Sequence, residues 1–275
     1  MIRITPVVKN ILILNVAIFV LDSFLLNGLL TQFGALRFVL ADAFNITQFL
    51  AYMWLHGGFM HIFFNMLMLF FIGPILENLW GGKRFLIYYL VTGIGAGVLY
   101  GGVQFARIYP DIAAAKNYIE NPTPEAFEYF AVEKTADHIR VRNSGTISNL
   151  IDTYNANPGN EQVKANTIQF AMEIHDAAIQ AYDFDDRSKM VGASGAVYGL
   201  LIAVALLFPN MQVMLLFPPI PMKMKYLALG LAAFAIYSEF NRSEGDNVAH
   251  LAHLGGMLIG FILLKIWKSK SNTYY

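Results

Sequence analysis

The chain has 275 residues, of which 56% are hydrophobic and only 14% charged, with a mean hydropathy of +0.49. That is more apolar surface than a soluble domain of this length can bury, so a bilayer is its natural solvent. Nineteen basic residues balance nineteen acidic ones, which excludes the broad basic surface of a nucleic-acid binder, and the absence of cysteine excludes disulfides, thiolate metal sites and a thiol nucleophile.

The N-terminus, MIRITPVVKN followed by ILILNVAIFVLDSFLL, has the charge-then-apolar order of a signal peptide. It lacks a small-x-small cleavage site, so it reads as a retained first span. A transmembrane helix needs about 20 mostly apolar residues, and six stretches qualify: 8–28, 59–80, 84–105, 190–208, 224–239 and 247–267. Residues 29–55 are too interrupted by Asp42, Asn45 and Gln48 for a membrane helix and are expected to lie partly in the interface. Between the third and fourth spans, residues 106–188 carry Pro110, Pro122, Pro124, Pro158 and most of the acids. This is a hydrophilic insertion in which Ile168, Met172, His175, Ile179 and Tyr182 recur at helical spacing. The expected architecture is an all-α polytopic membrane protein, with 1–105 and 189–275 forming a six-helix membrane domain and 106–188 a helical extracytoplasmic insertion.

Orientation follows from the short basic segments: Arg3 and Lys9, Lys83 and Arg84, Lys223 and Lys225, and Lys265, Lys268 and Lys270 all fall on one side of a six-span chain. That side is expected to be the cytoplasm and to hold both termini. From Arg107 to Lys189 there are 8 basic and 13 acidic residues, which suits a translocated loop. The short termini suit a bacterial inner (plasma) membrane.

Polar side chains within spans are costly and therefore candidate functional groups. Span 2 opens with HGGFMHIFFN, where His61 and Asn65 share a helix face and His56 precedes them. Span 4 opens with VGASGAVYG, which sets Ser194 between Gly192 and Gly195, with Tyr198 one turn on. Span 6 reads AHLAHLGGMLIG, with His250 and His253 near its outer end and Gly256 and Gly260 spaced as GxxxG. All three spans run inward in this topology, so their first turns lie at similar depth. A serine hydroxyl becomes a nucleophile when an imidazole takes its proton, and His253 is the obvious base for Ser194. The side chains of His61 and Asn65 and the Ser194 backbone N–H could stabilise an oxyanion. Taken singly, each residue has a plainer reading: Ser194 as a packing position, Asn65 as interhelical glue, His56 and His250 as interfacial groups, His138 and His175 as surface histidines, and Asp183, Asp185 and Asp186 as a solvated run. Their joint occurrence at one depth is what the plainer readings leave unexplained.

Together, the series His56, His61, Asn65, the GxSG at Gly192–Gly195 and the AHxxGxxxG at Ala252–Gly260 resemble the rhomboid family of intramembrane serine proteases, over all six spans. The resemblance implies Ser194 as nucleophile and His253 as base in a dyad without an acid, and His61 and Asn65 as oxyanion ligands. It further implies Tyr198 packed on the dyad histidine, Glu77 in a structural role, no cofactor or metal, and transmembrane proteins as substrates. Two features depart from the family pattern: residues 29–55 contain no Trp-Arg pair, and the insertion is unusually long. The alternatives are a catalytically silent rhomboid-like protein that binds membrane clients, and a transporter or channel. The complete set of four groups argues against the first, and the lack of internal repeats and buried acids other than Glu77 argues against the second.

Overall fold

The computed structural model describes residues 3–135, 143–183, 189–214, 219–241 and 249–270, apart from the side chains of 178, 180–183 and 268–270. His138, Asp185, Asp186 and the side chains of Tyr182, Asp183, Lys268 and Lys270 lie outside this description.

Helix α1 (Pro6–Val20) has proline at its start, where a missing N–H costs nothing, and continues through a π turn at Leu21–Leu25. Short helices α2 (Leu29–Gly34) and α3 (Gln48–Ala51) follow, and then the long apolar α4 (Phe59–Trp80) and α5 (Gly82–Glu120). Next come α6 (Pro124–Tyr129), α7 (Ser144–Ala156) and α8 (Glu161–Asp183). The chain ends with α9 (Ser194–Leu207), a hairpin of β1 (Gln212–Met214) and β2 (Pro221–Lys223), α10 (Met224–Phe240) and α11 (His250–Lys270). Pro6–Leu25, α4, α5 and the His250–Trp267 part of α11 are each long and apolar enough to cross a membrane. The chain is an all-α polytopic membrane protein.

Two compact units emerge, one made of Met1–Arg37, Ala43–Gly101 and Lys189–Tyr275, the other of Phe38–Asp42 and Gly102–Ser188. In the first, the core runs from Val8 and Ile11 through Leu69, Leu76, Phe85 and Tyr89 to Leu200 and Val204. The second has its own aromatic core of Tyr118, Phe127, Phe130, Tyr154 and Phe170, where Tyr118 and Thr167 share a buried hydrogen bond.

Three sequence expectations need correction. The third helix does not stop at 105 but continues to Glu120. Ile108, Ile112, Ala115 and Tyr118 give that extension a buried stripe, and Asn121, which precedes Pro122, ends it because a residue before proline is pushed out of the helical region. The buried face of α8 is Thr167, Phe170, Ala171 and Ile174, whereas Met172 is exposed. The helix is as expected, but its buried stripe lies a fraction of a turn from the expected one and includes the small residues Thr167 and Ala171. The fourth span is shorter than 190–208: α9 has 14 residues, about 21 Å at 1.5 Å per residue. Nine of them are buried. Non-helical backbone before Ser194 is tolerated at membrane depth because protein, not lipid, surrounds it.

Glu77 ties the first span to the second. Its carboxylate accepts hydrogen bonds from the Thr5 hydroxyl and from the N–H groups of Val7 (2.9 Å) and Val8 (2.8 Å), so a side chain of α4 caps the start of α1. Gly73 of α4 lies close by, where a Cβ would come within 2.7 Å of Val8. Glu77→Ala is expected to cost about 3 kcal/mol, since it strands buried donors that had a charged acceptor. A thermal melt in detergent showing an unchanged midpoint would remove Glu77 from this role.

Candidate functional site

The backbone leading to Ser194 is held from two sides. Leu36 and Met190 exchange a pair of 2.9 Å backbone hydrogen bonds, and Gly192 N–H donates to the Tyr52 carbonyl at 2.9 Å. The Tyr52 hydroxyl in turn donates to the Gly93 carbonyl at 2.6 Å, which links this loop to α5. Gly192 has φ +123°, a conformation that side chains rarely adopt, and a Cβ there would lie 2.6 Å from His61 Nε2. Glycine is therefore required on both counts: the backbone needs the left-handed region, and His61 needs the space.

Ser194 follows as the first residue of α9, so its N–H is one of the first-turn donors that no carbonyl of the helix can satisfy, at the positive end of the helix dipole. His253 lies on the first turn of α11, and its Nε2 is 2.8 Å from Ser194 Oγ. Tyr198, one turn after Ser194, stacks on the His253 ring at 4.2 Å and 6° between planes. His250 approaches the same ring edge-on at 6.1 Å. Among the described residues, no carboxylate bonds His253, and its ring is oriented by these aromatic contacts.

Small residues bring the two helices this close. A Cβ on Gly256 would collide with the Gly195 carbonyl, and one on Gly260 would sit 3.0 Å from the Gly199 carbonyl and 2.6 Å from the Tyr88 hydroxyl. Gly195 faces Ala96 of α5, where a Cβ would lie 2.6 Å from the Ala96 methyl group. The GxxxG of α11 therefore meets Gly195 and Gly199 of α9 at matching intervals, a close backbone approach of the kind membrane helices use when hydrophobicity cannot drive their association.

On α4, Gly57 N–H points at His61 Nδ1 over 3.4 Å, which leaves Nε2 to carry the ring proton toward Gly192. Asn65 is buried and donates one amide hydrogen to the His61 carbonyl at 3.0 Å, its only side-chain hydrogen bond among the described residues. His61 is thus brought against the segment that carries Ser194, while Asn65 is turned to its own helix. His56 is buried edge-on to the His61 ring at 5.2 Å, and neither of its nitrogens meets a protein partner among the described residues. His175 pairs with Asp176 on the second unit.

Sequence reasoning missed the supports. Tyr52 reads as an ordinary aromatic, yet it carries hydrogen bonds to Gly192 and Gly93. Gln48, read as an interruption, is a buried clasp: its Oε1 accepts from Arg37 N–H at 3.2 Å, and its Nε2 donates to the carbonyls of Phe33 (3.1 Å) and Ala43 (2.9 Å). The signal for it was a neutral side chain able both to donate and to accept, placed just before the apolar stretch Phe49–Leu55.

A family model described as "Rhomboid domain" matches residues 43–108 and 166–269, which is more than half of the chain. Curated relatives from Arabidopsis thaliana match over shorter stretches. RHOMBOID-like protein 2 is 44% identical over 52 residues, 19% of this chain and 16% of that protein. RHOMBOID-like protein 5 is 34% identical over 70 residues, 26% of this chain and 23% of that protein. RHOMBOID-like protein 4 is 46% identical over 46 residues, 17% and 12% respectively. The matched stretches thus span less than a quarter of any of these three relatives.

Proposed function

We propose that this integral membrane protein, which belongs to the rhomboid family, is a serine endopeptidase that cleaves peptide bonds in or beside transmembrane segments of other proteins. The observation that carries the reading is the 2.8 Å contact of His253 Nε2 with Ser194 Oγ at the start of a helix. In the proposed reaction Ser194 Oγ attacks the scissile carbonyl while His253 Nε2 takes its proton. The oxyanion that forms is met by the Ser194 N–H and the helix dipole, with the His61 Nε2–H at the Gly192 side. Asn65 joins them after releasing the His61 carbonyl. His253 then returns the proton to the leaving amine, and water, activated by the same imidazole, releases the acyl group from Ser194. Tyr198 and His250 support the reading because they fix the ring in place of an acidic partner.

The positive residues Lys83, Arg84, Lys223, Lys225 and Lys265 lie in segments at the end of the spans opposite Ser194, which supports a cytoplasmic placement of that end and of both termini. The insertion at 106–188 would then be extracytoplasmic.

The test is cleavage, in detergent, of a single-span substrate with helix-breaking residues in its span. The native protein is expected to cut and to accept a fluorophosphonate label, and Ser194→Ala, folded by its thermal melt, to do neither. Equal cleavage by Ser194→Ala would discard the mechanism. A folded native protein that neither cuts nor labels would favour a client-binding role.

A further inference from the structure

The hairpin between α9 and α10 presents a face that, among the described residues, no element of the fold covers. Its strands pair Gln212 with Lys223, Val213 with Met222 and Met214 with Pro221. Val213 and Met222 are half-buried, whereas Met214 is 64% exposed and Ile220, just before β2, is 48% exposed. Its base is fastened by backbone hydrogen bonds from Met224 to Met211 and from Lys225 to Pro209. Lys223 and Lys225 are both exposed, and among the described residues neither has an acidic partner; the Lys225 ammonium rests 5.2 Å over the ring of exposed Tyr226. An exposed apolar face edged by cations that lack an acidic partner among the described residues would be a liability in water.

The depth of this hairpin can be read from the packing of α9 on α11. Gly195 meets Gly256 and Gly199 meets Gly260 in one register. Continued to the end of α9, that register brings Leu207 level with the neighbourhood of Trp267. There Trp267 packs on Trp80 at 5.5 Å and on Tyr88 at 5.6 Å, and the Arg84 guanidinium lies 4.2 Å over the Trp267 ring. Tryptophan with arginine marks the headgroup level of a bilayer. The hairpin therefore leaves α9 at the membrane surface opposite the Ser194 end. A belt of exposed apolar side chains on α10, with Tyr226, Leu229, Phe234 and Tyr237, continues directly from it.

We propose that this hairpin is a lipid-docking element: Met214 and Ile220 enter the acyl boundary while Lys223 and Lys225 hold the phosphates of anionic phospholipids. Continuity with the exposed apolar surface of α10 and two lysines without an acidic partner among the described residues both select a lipid headgroup as occupant. The proposal does not depend on the protease reading.

The chain has no cysteine, so single-cysteine spin labels can be placed without removing any native residue. Met214→Cys and Ile220→Cys would be labelled in the full-length protein in phosphatidylcholine vesicles with and without phosphatidylglycerol. Leu229→Cys serves as a lipid-facing reference and Glu173→Cys as a water-exposed one. Both hairpin labels are expected to collide with oxygen more than with a nickel chelate, as Leu229→Cys does. That preference is expected to grow when phosphatidylglycerol is added, and the growth to vanish in the Lys223→Gln/Lys225→Gln background. Labels as open to nickel as Glu173→Cys would overturn the docking. Labels in lipid but indifferent to headgroup charge or to the lysines would overturn the anionic recognition. Activity is not part of the readout, so a failed protease assay leaves this test intact.

Discussion

His253→Ala is expected to lower the cleavage rate by about ten-thousand-fold, the scale at which loss of a nucleophile's base is felt. Fold stability should change little, because the side chain is held by stacking on Tyr198 and one hydrogen bond to Ser194. The cleavage assay should include His253→Ala combined with Ser194→Ala. If the two residues act as one unit, the double variant loses no more than either single variant, since removing either partner already disables the proton transfer. Fluorophosphonate labelling of Ser194 should fall together with cleavage in His253→Ala. Labelling that persists at the native rate would mean that Ser194 is activated by something else, such as the helix N-terminus alone, and would overturn the role of His253 as base.

The second large effect concerns packing. Gly256→Val places a branched side chain where even a Cβ would collide with the Gly195 carbonyl. The collision is with backbone, so no side chain can move aside; the helices must separate. A loss of about 1–3 kcal/mol, the range of overpacking in a filled core, is expected. The functional loss should exceed the loss of stability, because a shift of about 1 Å at the Ser194–His253 pair can cost about a hundredfold in rate. Gly230→Ala is the control: nothing lies within 4 Å of a Cβ there, and both melt and rate should be nearly native. If Gly256→Val melts and cuts like the native protein, the close approach of α9 and α11 does not set the site.

These two predictions rest on different kinds of legibility. Ser194, His253 and the Gly256/Gly260 pair could be singled out in the sequence because a bilayer penalises polar groups and rewards small ones at helix contacts, so exceptions to apolarity stand out. Glu77 stood out for the same reason, and its capping of α1 explains why a carboxylate survives in an apolar helix. Asn65 and His61 were equally visible, but which way their side chains turn was not. Helical spacing puts both on one face, whereas hydrogen bonding to the His61 carbonyl decides that Asn65 turns back to its own helix.

By itself the sequence determined the solvent, the helical class and the approximate positions of the long apolar helices, and it singled out the residues proposed to do chemistry. Each of these is a property of composition or short-range spacing. Only the tertiary structure decided that α5 runs on to Glu120, that α8 buries Phe170 rather than Met172, that Tyr52 holds the segment before Ser194 and that Gln48 ties Phe33, Arg37 and Ala43 together. It alone showed that α9 could be short. These outcomes depend on which surfaces meet. A helix continues while its next residues find a core, a polar amide becomes structural when distant backbone groups surround it, and a span is shortened when other helices take the place of lipid. Such meetings join residues far apart in the chain, and no local pattern records them.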